Sequence, residues 1–102
     1  MTELNQDNYQ DFIGKGTVLV DAWAPWCSQC PRMAAILDQT TPEYQTKIQF
    51  GKLDISQNMT LGQKLGITTL PTLLLYRDGQ LIGQKTGIVP KPNLTSWLDQ
   101  AS

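Results

Sequence analysis

The sequence predicts an α/β domain, a central mixed sheet of four or five strands with helices on both faces. Three observations predict it. Helical and strand-like apolar patterns alternate through the early part of the chain, which calls for parallel strands joined by right-handed crossovers. An Asp78-Gly79 step between two strand-like runs demands one antiparallel pair. A length of 102 residues with 40% hydrophobic content fits one core, so residues 1–102 read as a single domain without linker or repeat.

The elements follow in the order α, β, α, β, α, β, β, α. Gln6 to Ile13 carries Tyr9, Phe12 and Ile13 at helical spacing and stops at Gly14. A few residues around Leu4 are all that the short leader offers as an edge strand before it. Thr17 to Trp23 is β-branched and almost continuously apolar, the pattern of a strand covered on both faces. Met33, Ile36 and Leu37 then place a helix from about Ser28 to about Gln39. Pro42 should break it, and the spacing of Thr40-Thr41-Pro42-Glu43 predicts a capping box and a short restart. Lys47 to Ile55 reads as a strand whose alternation shifts phase between Phe50 and Leu53. Asn58 is placed to cap a short helix bearing Leu61 and Leu65, with Gly66 closing it. Pro71 to Tyr76 and Leu81 to Thr86 form the hairpin around Asp78-Gly79. Pro90 and Pro92 introduce a last helix whose Leu94, Trp97, Leu98 and Ala101 make one apolar stripe, with Trp97 in the core.

Composition removes several function classes. Eight Lys and Arg against nine Asp and Glu give a net charge of -1 with no basic stripe, so phosphate-driven nucleic-acid binding is not expected. Histidine is absent, which excludes Ser-His-Asp and Cys-His catalysis and any zinc site with an imidazole ligand. Met1 to Asn8 is polar and acidic, unlike a secretory signal, and the longest apolar run, Met33 to Leu37, is far short of a membrane span. The expectation is a monomer, without membrane contact, in the cytoplasm or a plastid stroma.

The chemistry lies in Cys27 and Cys30, the only two cysteines, spaced C-x-x-C where a strand gives way to a helix. Closing so short a loop removes little entropy from the unfolded chain, so a structural staple is a poor explanation. Unpaired amides and the positive end of the helix dipole at such a junction stabilise a thiolate over a thiol. Cys27 is therefore the candidate nucleophile. Cys30, one helical turn along and more enclosed, is the candidate resolving thiol. Asp21 is a carboxylate inside an otherwise apolar strand, where burial should favour its protonated form. Such a group can accept and return a proton of Cys30. A capped or solvent-reaching Asp21 at a strand end is the plainer alternative.

The run Val20-Asp21-Ala22-Trp23-Ala24-Pro25-Trp26-Cys27 resembles the thioredoxin family, especially its bacterial and chloroplast m-type branch. So do Lys52-Leu53-Asp54, Leu70-Pro71-Thr72-Leu73-Leu74-Leu75-Tyr76, Asp78-Gly79 and Gly87, at nearly unbroken spacing from Thr17 onward. The resemblance implies a thioredoxin fold with Asp21 behind the cysteine pair and Lys52 beside Asp21, tempering it. It implies a cis peptide before Pro71, with Leu70 exposing its backbone to a substrate strand. It also implies a groove walled by Trp26 on one side and by Gly87 and Ile88 on the other. Trp23 is expected beneath the active-site loop. The departures are Ser28-Gln29 between the cysteines, Pro31 in place of a basic residue, Ala35 in place of a helix-kinking proline, and Ala22 in place of a large aromatic. These bear on substrate range and redox poise rather than on fold.

The function so implied is thiol–disulfide oxidoreduction: reduction of disulfides in target proteins by exchange at Cys27 and Cys30, with a redox disulfide between them. No cofactor or metal is called for. The chain carries no nucleotide or flavin fingerprint, so the electron donor is expected to be another protein, an NADPH- or ferredoxin-linked thioredoxin reductase. The rivals are a less reducing, oxidase- or isomerase-like variant, a docking module in which the cysteines are incidental, and a metal site shared by two copies, each giving two thiolates.

Overall fold

In the computed structural model, which describes residues 1–101, the sheet has five strands in the order β1-β3-β2-β4-β5. The strands are β1 (Thr2–Leu4), β2 (Thr17–Trp23), β3 (Ile48–Asp54), β4 (Thr72–Arg77) and β5 (Gln80–Thr86). The helices are α1 (Tyr9–Ile13), α2 (Cys30–Thr40), α3 (Met59–Lys64) and α4 (Lys91–Ala101). β2 lies between β3, to which it is parallel, and β4, to which it is antiparallel. β1 is the short edge strand, parallel to β3. Among the described residues no helix is long and apolar enough to cross a membrane.

Alternation along the strands divides the core into two layers. Leu19, Leu73 and Leu75 pack with Met33, Leu37, Leu94 and Leu98 on the α2/α4 face. Val18, Val20 and Leu74 pack with Tyr9, Ile13 and Leu61 on the α1/α3 face. β3 corrects the expected phase shift: Ile48 and Phe50 belong to the first layer, and Leu53 belongs to the second with Ile55 packed against it. One regular strand buried on both faces therefore produces the pattern. Gly51 is small because Leu4 covers it, with a Leu4 methyl carbon 2.7 Å from where a Cβ would lie.

The helix ends differ from expectation for local reasons. α1 begins at Tyr9, not Gln6, because Asn5 and Asn8 fold the preceding residues into a turn. Asn5 Oδ1 accepts from the amides of Asp7 (2.8 Å) and Asn8 (3.0 Å), and Asn8 Oδ1 accepts from the Asn5 amide (2.8 Å). α2 does break before Pro42, into a 3₁₀ turn over Thr41–Tyr44, but no capping box forms. The Thr40 hydroxyl donates instead to the Ile36 carbonyl (2.7 Å), and Glu43 pairs with Lys91 (2.7 Å). Asn58 stands at the N-cap of α3, yet its amide donates to the Asp54 carbonyl (3.0 Å) rather than capping. The hairpin turn has Asp78 at φ 50° and Gly79 at φ 86°, the two positive values a tight primed turn requires. Trp97 is only partly buried: it covers Gly83 of β5 and lies under the Lys85 ammonium, 5.2 Å from the ring centre. That placement corrects the expectation of a plain core tryptophan.

Candidate active site

β2 delivers the chain to the site and α2 carries it away. Between them Cys27 donates its amide to the Ala24 carbonyl (3.1 Å), and Cys30 donates to the Cys27 carbonyl (3.3 Å). The first helical bond of α2 runs from Met33 to the Gln29 carbonyl (3.2 Å). The helix therefore starts at Cys30, slightly later than the expected Ser28, and two tight turns occupy the difference. Pro31 falls in the first turn, where its missing donor removes no helical bond. Cys27 and Cys30 are joined by a disulfide with their Cα atoms 5.5 Å apart. Cys27 is half-buried and Cys30 is 3% exposed, so Cys27 is the more accessible residue of the pair.

Behind the pair runs a cleft of about 310 Å³ lined by Asp21, Trp23, Cys30, Ala34, Asp38 and Lys52, among others. It brings together Asp21, Cys30 and Lys52, three of the expected catalytic residues, with Trp23 beside them. Asp21 and Lys52 are register partners on neighbouring strands. Asp21 is buried, and burial pushes its carboxyl up to about 7 while the Lys52 ammonium pulls it partway back. Asp21 Oδ1 is buried with no hydrogen-bond partner among the described residues, so the carboxyl is not capped, and the residue lines the cleft.

The second group surrounds Pro71. The Leu70-Pro71 peptide is cis, and Gly87, at φ 80°, donates its amide to the Pro71 carbonyl (2.8 Å). Pro71 is buried and Leu70 half-buried. Ile88 is partly buried against the α2/α4 core layer, and Trp26 stands 71% exposed beside Cys27. Trp23 is half-buried and lines the cleft beneath the cysteine loop.

Two features escaped sequence reasoning. Ala34 and Asp38 follow Cys30 at successive intervals of four, and the cleft-facing stripe of α2 was legible in that spacing. Thr72, which is fully buried, donates its hydroxyl to the Thr69 carbonyl across Pro71, and nothing in the sequence pattern marks that contact.

A mixed sheet that presents a C-x-x-C disulfide at a strand-to-helix junction, over a buried carboxylate, defines a thiol–disulfide oxidoreductase. The thioredoxin family model matches residues 1–100. Thioredoxin of Pseudomonas aeruginosa is 40% identical over 84 residues, covering 82% of this chain and 78% of the relative. Thioredoxin of Staphylococcus haemolyticus is 32% identical over 100 residues, covering 98% and 96%. Thioredoxin of Haemophilus influenzae is 35% identical over 83 residues, covering 81% and 78%. The chain belongs to the thioredoxin family. It is a protein-disulfide reductase working by dithiol–disulfide exchange at Cys27 and Cys30, and thioredoxins are in general reduced by a thioredoxin reductase.

Proposed function

We propose the following division of labour. The Cys27 thiolate attacks one sulfur of a target disulfide, the other target sulfur leaves as a thiolate, and a mixed disulfide links target to Cys27. Cys30 gives its proton to Asp21, directly or through water, and attacks the Cys27 sulfur. The second target sulfur leaves, so the target has gained two electrons and Cys27–Cys30 is oxidised. Lys52 tempers Asp21. Trp26, Gly87 and Ile88 wall the groove, and Leu70, held before Pro71, pairs by its backbone with an extended target strand. The observation that carries this reading is the asymmetry of the pair: Cys27 reaches solvent, while Cys30 lies inside, on the same cleft as Asp21. After reduction, a limiting dose of iodoacetamide should alkylate Cys27 well before Cys30, as read by peptide mass spectrometry. Alkylation of Cys30 first would reverse the roles.

Finer placement rests on lesser support. A monomer is favoured because both core layers close within one chain. A cytoplasmic or stromal setting is favoured because a dithiol that must be regenerated works in a reducing compartment. The run from Val20 to Cys27 favours the bacterial or m-type branch. The donor reductase is NADPH- or ferredoxin-linked.

The Ser28-Gln29 step favours a shifted poise. Gln29, an exposed residue, stands at the N-cap of α2, and its amide, without a backbone acceptor among the described residues, is a donor that proline in this position would lack. One added donor to the Cys27 thiolate stabilises the reduced form. A gain of ~1.4 kcal/mol corresponds to about 30 mV. The wild-type protein should therefore be less reducing than Gln29→Pro by about that amount, measured by glutathione equilibration with Trp23 and Trp26 fluorescence as readout. A wild type equally or more reducing than the variant would reject the donor argument.

A further inference from the structure

We propose that Thr72 is a positioning residue for target capture: by holding the Thr69 carbonyl, its buried hydroxyl aims and strengthens the Leu70 amide. The inference rests on the reading in which Leu70 pairs with the target backbone.

Thr72 opens β4 directly after Pro71 and is fully buried. Its Oγ1 donates to the Thr69 carbonyl oxygen, reaching back across Leu70 and Pro71. That oxygen and the Leu70 N–H belong to one peptide unit. A trans peptide is planar, with its oxygen and its hydrogen on opposite edges, so gripping the oxygen fixes the direction of the N–H. Accepting a hydrogen bond also polarises the unit, which strengthens the N–H as a donor by ~10–30%. The Leu70 amide itself makes no backbone hydrogen bond among the described residues, so its donor is uncommitted. On the other side, the Gly87 amide holds the Pro71 carbonyl at 2.8 Å. The Leu70-Pro71 step is thus tethered at both ends, once by the backbone of Gly87, just past β5, and once by a side chain.

Packing alone does not call for this hydroxyl. Valine has nearly the same shape, suits a strand at least as well and needs no partner when buried. Thr69 is exposed, so water can serve its carbonyl when the hydroxyl is gone. Loss of the bond should act mainly on the freedom of the Thr69–Leu70 unit.

The test compares a target that presents a peptide strand with one that presents none. Thr72→Val should raise the KM for insulin reduction by about three- to tenfold, the range of one net hydrogen bond. Reduction of oxidised lipoate, which has no backbone to pair, should stay within about twofold on the same grounds. Thr72→Ser should restore the wild-type KM. Thr72→Ala also lacks the hydroxyl and adds no bulk, so it supplies the same readout should the valine variant not fold. An unchanged insulin KM in the hydroxyl-free variants, or equal slowing on insulin and lipoate, would overturn the proposal. Replacing the Leu70 amide by an ester deletes the N–H and separates the two levels. If the ester raises KM and Thr72→Val does not, the Thr72 role fails alone. If the ester leaves KM unchanged, the pairing of Leu70 fails, and the role of Thr72 with it.

Discussion

Replacing Cys30 with serine should turn the protein into a trap that holds its targets as mixed disulfides on Cys27. The Cys27 thiol still attacks, but the resolving sulfur is gone, and the serine hydroxyl cannot take its place in disulfide exchange. Non-reducing electrophoresis of the variant with a disulfide-bearing target should show a dithiothreitol-sensitive adduct, approaching one target per chain. Cys27→Ser should form no adduct and lose insulin reduction by about 10³-fold or more, the scale on which removing a nucleophile acts. The two losses differ in kind, since one variant stalls after the first bond exchange and the other never begins. Adducts on Cys27→Ser with none on Cys30→Ser would exchange the two roles.

Asp21→Asn should make the protein more stable and slower. In the folded chain Asp21 holds its proton up to about 7, against an ordinary value of 3.8. Between those values the native state binds more protons than the unfolded one, so this group makes stability fall as pH rises. The penalty is absent below the unfolded value and complete above about 7. Asparagine removes it but introduces a buried amide that needs partners of its own. The net gain should be about 1–3 kcal/mol at pH ~8 and should shrink away or turn into a loss at pH ~4, where only the cost of the buried amide remains, by urea denaturation at both. Insulin reduction near neutral pH should slow, and the ionisation that Asp21 gives the rate profile should disappear. Equal stability at both pH values with an unchanged profile would mean that Asp21 is solvated and takes no part in the exchange.

What could be read from the sequence was whatever local chemistry decides. Thr17 to Trp23 declared itself as the central strand because a run apolar on both faces has few other uses. Asp78-Gly79 declared the hairpin because few residues accept positive φ in succession. Cys27 and Cys30 were legible because their spacing is itself the reactive unit. Partner choice was not legible. Thr40, Glu43 and Asn58 are good capping residues, but the Ile36 carbonyl, Lys91 and the Asp54 carbonyl lay closer to hand, and tertiary contact decided. The stripe on α4 placed Trp97 correctly on the inner side, yet the small Gly83 and the edge of the sheet cover only part of a ring that large. Lys52 beside Asp21 came through family resemblance, because strand register, not sequence distance, makes them neighbours. Asp38 was legible in its helical spacing from Cys30 and was overlooked, whereas no sequence pattern marks the contact of the Thr72 hydroxyl with the Thr69 carbonyl.

The unequal cover of β2 and β5 sets a gradient of local opening across the molecule. β2 is hydrogen-bonded on both sides, and its five middle residues are buried. β5 has one neighbour and is exposed along almost its whole length. Amides in a doubly flanked, buried strand exchange with solvent only when the domain unfolds as a whole, whereas an exposed margin opens at a fraction of that free energy. Cys27 follows the doubly flanked strand, in which amide exchange should be slowest, and Gly87 and Ile88 follow the exposed one, in which it should be faster. The sulfur is thus anchored to the last part of the molecule to let go, while the facing wall can breathe on a shorter timescale. On the proposed reading, in which Gly87 and Ile88 wall the groove, targets of different contour would be admitted by movement of the wall alone, with the reacting atom held still.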